Sequence, residues 1–245
     1  MPLQIRRLGP ADKVVDLVTR ITPAIAAGFV RAGVTAVLRY GASIDSAEFS
    51  TIMSYRLSLG LLTYGRRSDF SAVTGTVDAQ ELLDKAKALG IPPGLTYGVD
   101  LEDPKGASVN DVLVYERGFA VRVTTIPRNL SGAYIGSGLL MNSADLTGMG
   151  STRYYKSGSR IVDARGNAAE PERGWTLIQR LPFDQTLAGT KVDYDSAGED
   201  FHGDAWTVVC ATPSTATLTM PDPDEATRQT LPPPPALDTD PPPAA

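Results

Sequence analysis

The sequence has a single cysteine, Cys210, and a single histidine, His202, among its 245 residues. It therefore cannot form an internal disulfide, a zinc cluster or a two-histidine metal site. Any serine-histidine-aspartate triad would have to include His202. We expect His202 to be a surface or helix residue rather than a base, and Cys210 to be a small buried apolar group or a strand-end residue.

Long apolar runs and a surplus of positive charge are also missing. No window approaches the roughly 18 apolar residues of a membrane span. The opening MPLQIRRLGPADK has no apolar stretch after its two arginines, so no standard signal peptide is predicted. Lys and Arg number 23 against 28 Asp and Glu, a net charge of -5. This balance gives no basic surface for a nucleic acid, and we expect no such partner.

Glycine-rich phosphate-binding motifs are missing as well. Neither GxGxxG nor GxxxxGK[ST] occurs, and the turn at Gly136 and Gly138 lacks the rest of both patterns. Kinase and dehydrogenase functions are therefore disfavoured.

Proline is distributed unevenly along the chain. Ten of the 19 prolines fall from Pro213 onward. This segment is poor in large apolar residues and cannot bury enough surface to offset its ordering entropy. We interpret residues 213–245 as a Pro-rich linker or extended tail, a candidate tether to virion or cell-surface protein subunits.

Residues 1–212 are predicted to form one α/β domain in which short β-branched runs alternate with helical apolar spacing. Eight strands are predicted, at Val14–Val18, Val34–Tyr40, Gly60–Tyr64, Leu95–Asp100, Ser131–Ile135, Arg153–Tyr155, Trp175–Gln179 and Val192–Tyr194. Such alternation favours parallel strands with right-handed crossovers. Eight strands favour a closed (β/α)8 TIM-like barrel, with an irregular second half where helical periodicity is weak. An open doubly wound sheet is the alternative.

Capping residues predict where the helices between these strands begin. Four starts are predicted, at Thr22–Pro23, at Asp45 with Glu48, at Asp78 with Glu81, and at Ser108. The first helix should end at Ala32, the second near Ser58, the third at Gly90 and the fourth near Thr125.

Polar and aromatic residues stand where the predicted strands end, which is where a parallel barrel carries its functional groups. They are Asp16, Tyr40, Tyr64, Asp100, Tyr134, Gln179, Asp193 and Asp195. Carboxylates bind hydroxyls and aromatic rings stack on the apolar face of a sugar, so this set suits a carbohydrate. The alternative for each tyrosine is an amphipathic rim position with a solvated hydroxyl.

Asp100 and Glu102 are the most informative pair. If the strand continues through Glu102, both carboxylates project to one side, with Cβ atoms about 6 to 7 Å apart. Close carboxylates tend to separate in pKa, so that one acts as a general acid while the other stays charged, as glycoside hydrolysis requires. The alternative is that Glu102 begins a solvated loop.

The order of segments resembles a known family. VVDLV, VTAVLRY, GLLTY, TVDAQELLDKAKALGIPPG, LTYGVDLED, VYERGF, SGAYIG, WTLIQ and VDYD follow one another as in the glycoside-hydrolase-like barrel domain of actinobacterial secreted proteins and their phages. That domain is similar to the family 25 lysozymes, the N-acetylmuramidases of bacterial peptidoglycan. The resemblance covers about residues 12–208 and is strongest from Gly33 to Gly136.

The resemblance implies roles for four acids. Glu102 takes the place of the catalytic acid, and Asp100 that of the neighbouring carboxylate in Asp-x-Glu. Asp16 matches the acid of the first strand and Asp193 that of the last. The resemblance also implies retention of configuration, bacterial cell-wall glycan as the partner, no cofactor, and a location in a phage virion or at the cell wall.

Aromatic and amide side chains near these acids are predicted to contact the substrate. They are Tyr40, Tyr64, Tyr97, Tyr134, Trp175 and Gln179. Trp175 lies three residues before Ile178, where the lysozymes commonly show the tryptophan of Trp-Gln. Arg39 is expected to form a structural ion pair rather than to hold a substrate carboxylate.

Two other functions remain open. The chain could be a binding or structural module of a phage tail or cell surface that keeps the barrel without turnover. It could also be an α/β enzyme unrelated to sugars, which an open sheet with Asp100 and Glu102 on opposite sides would favour.

Overall fold

The structure is a computed structural model that describes residues 2–65, 69–102 and 106–212. The predicted tail, its start at 213 and its tether function lie outside these residues. The strands are β1 (Leu3–Arg7), β2 (Lys13–Leu17), β3 (Ala36–Tyr40), β4 (Ser58–Tyr64), β5 (Thr96–Leu101), β6 (Leu130–Ile135), β7 (Arg153–Lys156), β8 (Leu177–Leu187), β9 (Thr190–Ala197) and β10 (Thr207–Ala211). The helices are α1 (Pro23–Arg31), α2 (Ser46–Ser54), α3 (Ala72–Ala88), α4 (Val109–Thr124) and α5 (Ser143–Thr147), with short 3-10 turns at Gly41–Ser43 and Ser137–Leu139.

Strands β2 to β9 close into an eight-stranded barrel. Each strand from β2 to β7 pairs in parallel with the next, and β9 joins β8 to β2 and so completes the ring. All eight predicted strands are present, which confirms the barrel and excludes the open sheet. The small strands β1 and β10, which were not predicted, pair with each other, and β10 also contacts β4.

The eighth barrel strand departs from the parallel arrangement expected from sequence. Strand β9 runs antiparallel to both β8 and β2. A tight turn at Ala188 and Gly189, both with positive φ (50° and 77°), joins β8 to β9. Because so short a connection can only form a hairpin, β9 must reverse direction. The irregular second half predicted from its weak helical periodicity is confirmed.

Capping residues set the helix starts, with one exception. Thr22, Asp45 and Ser108 cap α1, α2 and α4 as predicted. Helix α3 instead begins at Ala72, capped by Ser71. Asp78 lies inside α3, where it is buried and accepts a hydrogen bond from the Tyr115 hydroxyl at 2.5 Å. Its role is therefore to join α3 to α4.

Helix α2 ends at Ser54, four residues before the predicted end. Arg56, with φ of 58°, turns the chain there. Ser58 already belongs to β4.

The barrel interior below the site is filled by Trp206, which is fully buried. Gly60, Gly98 and Gly132, on the adjoining strands β4, β5 and β6, leave room for its indole. A Cβ at Gly132 would lie 2.5 Å from the indole ring. A second core lies between the barrel and its helices. Because the parallel strands all end on the same side of the barrel, their polar last residues meet at one mouth.

A buried ion pair joins β3 to α2. Arg39 Nε lies 2.8 Å from Glu48 Oε1, and neither side chain is exposed. Arg39 Nη1 also donates to the Leu17 carbonyl at 2.7 Å. The structural role expected for Arg39 is confirmed.

No helix of the described ranges is long and apolar enough to cross a membrane.

Candidate active site

A cavity of about 330 Å³ opens at the end of the barrel where the parallel strands terminate. Its lining consists of Asp16, Leu17, Val18, Tyr40, Leu62, Tyr64, Glu102, Tyr134, Tyr155, Gln179, Phe183, Asp184, Lys191, Val192 and Asp193. Seven of the predicted site residues are among them. Six of these seven side chains come from the strands β2, β3, β4, β6, β8 and β9, and Glu102 follows β5. They meet at one end of the barrel, where functional groups are expected.

Glu102 follows the last residue of β5 and is exposed at the mouth of the cavity. Its backbone N–H donates to Asp100 Oδ1 at 2.9 Å. The Tyr134 hydroxyl lies 3.5 Å from Glu102 Oε1. Gly136 packs against this segment so closely that a Cβ there would lie 2.6 Å from the Glu102 Cα. The segment carrying Glu102 is thus held by a carboxylate on one side and by a glycine on the other.

Asp100 is fully buried and does not line the cavity. It accepts a hydrogen bond from the Tyr40 hydroxyl at 2.8 Å. Burial and the neighbouring Asp100 charge raise the pKa of Tyr40 above its usual value, so its hydroxyl remains a donor. Asp100 therefore ties the Glu102 backbone to Tyr40 from beneath the cavity.

Two tyrosines form an aromatic surface on one side of the cavity. The rings of Tyr40 and Tyr64 are stacked, with centroids 3.8 Å apart and an interplanar angle of 5°. Because one face of Tyr40 is covered by Tyr64 and its hydroxyl is bonded to Asp100, its position is fixed from two directions. This stack offers an apolar surface of the kind that sugar rings bind.

The amide of Gln179 links three side chains on the opposite side of the cavity. Its Oε1 accepts from the Tyr134 hydroxyl at 2.8 Å. Its Nε2 donates to Asp193 Oδ2 at 2.9 Å and lies 3.4 Å from Asp16 Oδ2. Since a tyrosine donates to one end and carboxylates accept at the other, the orientation of the amide is determined by its partners.

Asp16 and Asp193 lie level with each other in the β2–β9 pair. The antiparallel direction of β9 places Asp193, near the start of that strand, beside Asp16 at the end of β2. Burial, followed by the charges of Asp193, Asp100 and Glu102, raises the pKa of Asp16 to about 7, although a hydrogen bond from Tyr155 opposes this. Burial and the Asp184 charge also raise the pKa of Asp193. The cavity thus brings together acids whose negative charges repel one another.

The β8–β9 hairpin forms the remaining wall. Phe183 lies against Gly158, where a Cβ would be 2.7 Å from its ring. The backbone N–H of Asp184 donates to Asp193 Oδ1 at 2.6 Å, and Lys191 Nζ donates to the Asp184 carbonyl at 2.8 Å. Phe183, Asp184 and Lys191 were not predicted as site residues because they fall between the predicted strands Trp175–Gln179 and Val192–Tyr194.

Tyr155 is a further cavity residue that the sequence prediction omitted. It lies in β7, is buried, and its hydroxyl bonds to Asp16. The signal was available, since Tyr155 is the last residue of the predicted sixth strand. The Gly-rich surroundings of that strand hid it.

Tyr97 and Trp175 do not line the cavity, in contrast to their predicted substrate contacts. Side chains alternate between the two faces of a strand, so Tyr97 shares with Val99 the face of β5 turned toward the helices. Trp175 precedes β8 and packs with Tyr154 and Lys156 in the layer outside the barrel. Both residues are therefore part of the packing between barrel and surroundings.

His202 is exposed in a turn and Cys210 is buried in β10, as expected. Among the residues that the structure describes, no group of three or more His, Cys, Asp or Glu side chains is placed to hold a metal ion.

Comparison of the sequence with family models and with curated proteins gives no match. The fold, however, matches solved structures. An uncharacterised protein of B. stearothermophilus superposes with a TM-score of 0.60 at 15% identity, covering 76% of this chain and 95% of that one. The catalytic domain of an endolysin from a bacteriophage of Listeria monocytogenes gives 0.55 at 16% identity, with 77% and 93% covered. A lysozyme of Streptomyces coelicolor gives 0.51 at 13% identity, with 78% and 94% covered. This chain therefore has the barrel fold that its resemblance to the lysozymes implied.

Proposed function

We propose that this chain, which shares its barrel fold with a bacterial lysozyme and a phage endolysin, is a glycoside hydrolase of bacterial cell-wall glycan with Glu102 as its general acid. The observation that carries the proposal is the position of Glu102, exposed at the mouth of the cavity and held through its backbone by Asp100. Fold alone does not assign activity. The site supplies the argument.

The chemistry requires a proton donor beside the glycosidic oxygen and negative charge facing the anomeric carbon. Glu102 donates its proton to the leaving oxygen as the bond from that oxygen to the anomeric carbon breaks. Asp16 and Asp193, which line the cavity, stabilise the positive charge that develops on the sugar. Asp100 contributes from beneath, as a residue that holds Glu102 and Tyr40.

The substrate class follows from the walls of the cavity. The stacked Tyr40 and Tyr64 provide an aromatic face, while Gln179 and the acids provide acceptors for hydroxyl and amide groups. An N-acetylated sugar fits this mixture, and its acetamido oxygen is a nucleophile for the anomeric carbon. Attack by that oxygen, followed by water, gives the retention of configuration that the lysozyme resemblance implies.

The setting belongs to the proposal as well. We place the protein at a bacterial cell wall, either secreted or carried by a phage particle such as a tail. The endolysin and lysozyme among the structural relatives support action on the wall.

A binding module without turnover is the second candidate. It is favoured by one observation: Asp100, the partner of Glu102 in Asp-x-Glu, is fully buried and does not line the cavity. In this alternative the same aromatic and acidic surface retains glycan and releases no product.

A cell-wall digest separates the two. Purified actinobacterial cell wall is incubated with the full-length protein, and soluble muropeptides are analysed by mass spectrometry while the protein that sediments with the wall is measured. Release of muropeptides supports the hydrolase. Saturable sedimentation with no soluble product supports the binding module. If the protein neither releases muropeptides nor sediments with the wall, both candidate functions are contradicted.

A further inference from the structure

One hydroxyl lies between two carboxylates beside the cavity. The Tyr155 Oη is 2.7 Å from Asp195 Oδ1 and also bonds to Asp16 Oδ2. Asp195 is 5% exposed and does not line the cavity, whereas Tyr155, which is 1% exposed, and Asp16 both line it. The three groups therefore form a hydrogen-bonded chain that leads from the barrel interior to the cavity.

The two hydrogen bonds among these three side chains require two protons. A phenol has one proton, so Tyr155 can donate to only one carboxylate at a time. If both acids were ionised, the second carboxylate oxygen would face lone pairs on the phenol oxygen without a proton between them. A second proton must therefore reside on Asp16 or Asp195 and be donated to the Tyr155 oxygen.

Asp195 is the better position for that proton. Exclusion of water penalises the charged form of an acid, and Asp195 is the more buried of the two. Its Oδ2 is buried and has no hydrogen-bond partner within the described part of the chain.

The groups facing Asp195 are Asp16 from β2, Tyr134 from β6, Tyr155 from β7 and Asp193 from its own strand, none of them a cation. Burial, and then the charge of Asp16, raises the pKa of Asp195 well above its usual value.

We propose that Asp195 is a positioning residue that stays protonated, donates to the Tyr155 oxygen, and so directs the Tyr155 proton to Asp16. Asp16 then presents its charge to the cavity in one orientation. When Asp195 loses its proton, its carboxylate competes for the Tyr155 hydroxyl and Asp16 loses its donor. The proton count stands on geometry alone, whereas the consequence for turnover rests on the proposed hydrolase function.

Carbon-13 NMR of the full-length protein, labelled in aspartate carboxyl groups, tests the shared proton directly. Asp195→Asn and Asp16→Asn assign the two resonances. We expect the Asp195 carboxyl to titrate well above the ordinary acid range near pH 4, and the Asp16 resonance to show a second inflection at the same pH. In Asp195→Asn that second inflection should vanish, because the amide does not titrate. Titration of Asp195 in the ordinary range, or a second inflection that persists in Asp195→Asn, overturns the inference.

Tyr155→Phe provides an independent variant. Loss of the hydroxyl should raise the pKa of Asp16, because the bond from Tyr155 lowers it in the wild type. It should also make the Asp16 resonance insensitive to the titration of Asp195. An Asp16 titration identical to that of the wild type would overturn the inference even if Asp195→Asn failed to fold.

The pH profile of muropeptide release tests whether the relay, the hydrogen-bonded chain from Asp195 through Tyr155 to Asp16, affects function. The wild type should lose activity as pH rises through the pKa of Asp195, and Asp195→Asn should lack the part of the alkaline decline that falls at that pH. Glu170→Gln, at an exposed acid outside the cavity, should keep the wild-type profile. Absence of release with the NMR result intact contradicts the hydrolase alone. An unchanged alkaline decline in Asp195→Asn contradicts the relay alone.

Discussion

The backbone N–H of Glu102 donates to Asp100 Oδ1 at 2.9 Å, so the carboxylate of one residue holds the main chain of the other. The Tyr40 hydroxyl bonds to the second oxygen of the same carboxylate at 2.8 Å. Asp100 therefore connects the aromatic side of the cavity to its exposed acid.

Removing this connection should destabilise the protein. Asp100→Ala leaves the Tyr40 hydroxyl and the Glu102 amide without their acceptor, which should lower the free energy of unfolding by about 1–3 kcal/mol. Asp100→Asn retains a carbonyl oxygen for the amide and should cost less. Urea unfolding of both variants checks this, and equal losses for Ala and Asn would contradict the bridging role.

The stacked tyrosines should determine affinity for glycan. Tyr64→Ala removes the ring that stacks on Tyr40, and affinity for a soluble N-acetylglucosamine oligomer should fall about tenfold. Titration calorimetry measures this. Tyr194→Ala removes a partly buried tyrosine outside the cavity lining and serves as the control. Equal affinity losses in the two variants would place the binding surface elsewhere.

Glycines around Trp206 should be sensitive to added volume. Gly132→Ala introduces a Cβ 2.5 Å from the indole, and the overpacking should cost about 1–3 kcal/mol. Gly198 has no heavy atom within 4 Å of its added Cβ and does not have a positive φ. Gly198→Ala should therefore leave thermal unfolding nearly unchanged, and a comparable loss at both positions would contradict the packing account.

Stability should fall as pH rises from about 4 through about 7 because of Asp16. The folded-state pKa of about 7 lies above the ordinary value, so the folded state binds more protons than the unfolded state in this window. The penalty is fully present above the folded pKa. Asp16→Asn should reduce the difference between urea midpoints at pH 5 and pH 8, while a residual slope remains from Glu116 and Asp195, whose pKa values burial also raises.

Glu170→Gln, at an exposed acid, is the matched control for that titration. It should retain the wild-type difference between the two pH values. An Asp16→Asn protein with the same difference as the wild type would show that Asp16 is not the group responsible.

Local patterns predicted most of the barrel because each strand carries its own signal. The β-branched runs located all eight barrel strands, and caps such as Thr22 and Ser108 located helix starts. The direction of β9 was not predictable in this way, since it depends on the Ala188–Gly189 turn closing a hairpin. That hairpin supplies one wall of the cavity, so Phe183, Asp184 and Lys191 were missed together.

The candidate site was predictable where strand ends were clear. Asp16, Tyr40 and Tyr64 reach the cavity by that rule. Tyr97 failed because it lies one residue out of phase with the inward-facing side chains of β5, and a motif match does not record which face a residue occupies. Asp195 was recognised as a strand-end acid, but its pairing with Tyr155 depends on strands 40 residues apart in sequence.

The most direct test of the central claim is the rate of muropeptide release by the wild type and by Glu102→Gln, with Glu170→Gln as the control. Glutamine keeps the shape of the side chain and has no acidic proton to donate. The account predicts release by the wild type and the control, and a loss of about 100-fold or more in Glu102→Gln, the range expected for removal of a general acid. Release by Glu102→Gln at the wild-type rate would contradict it.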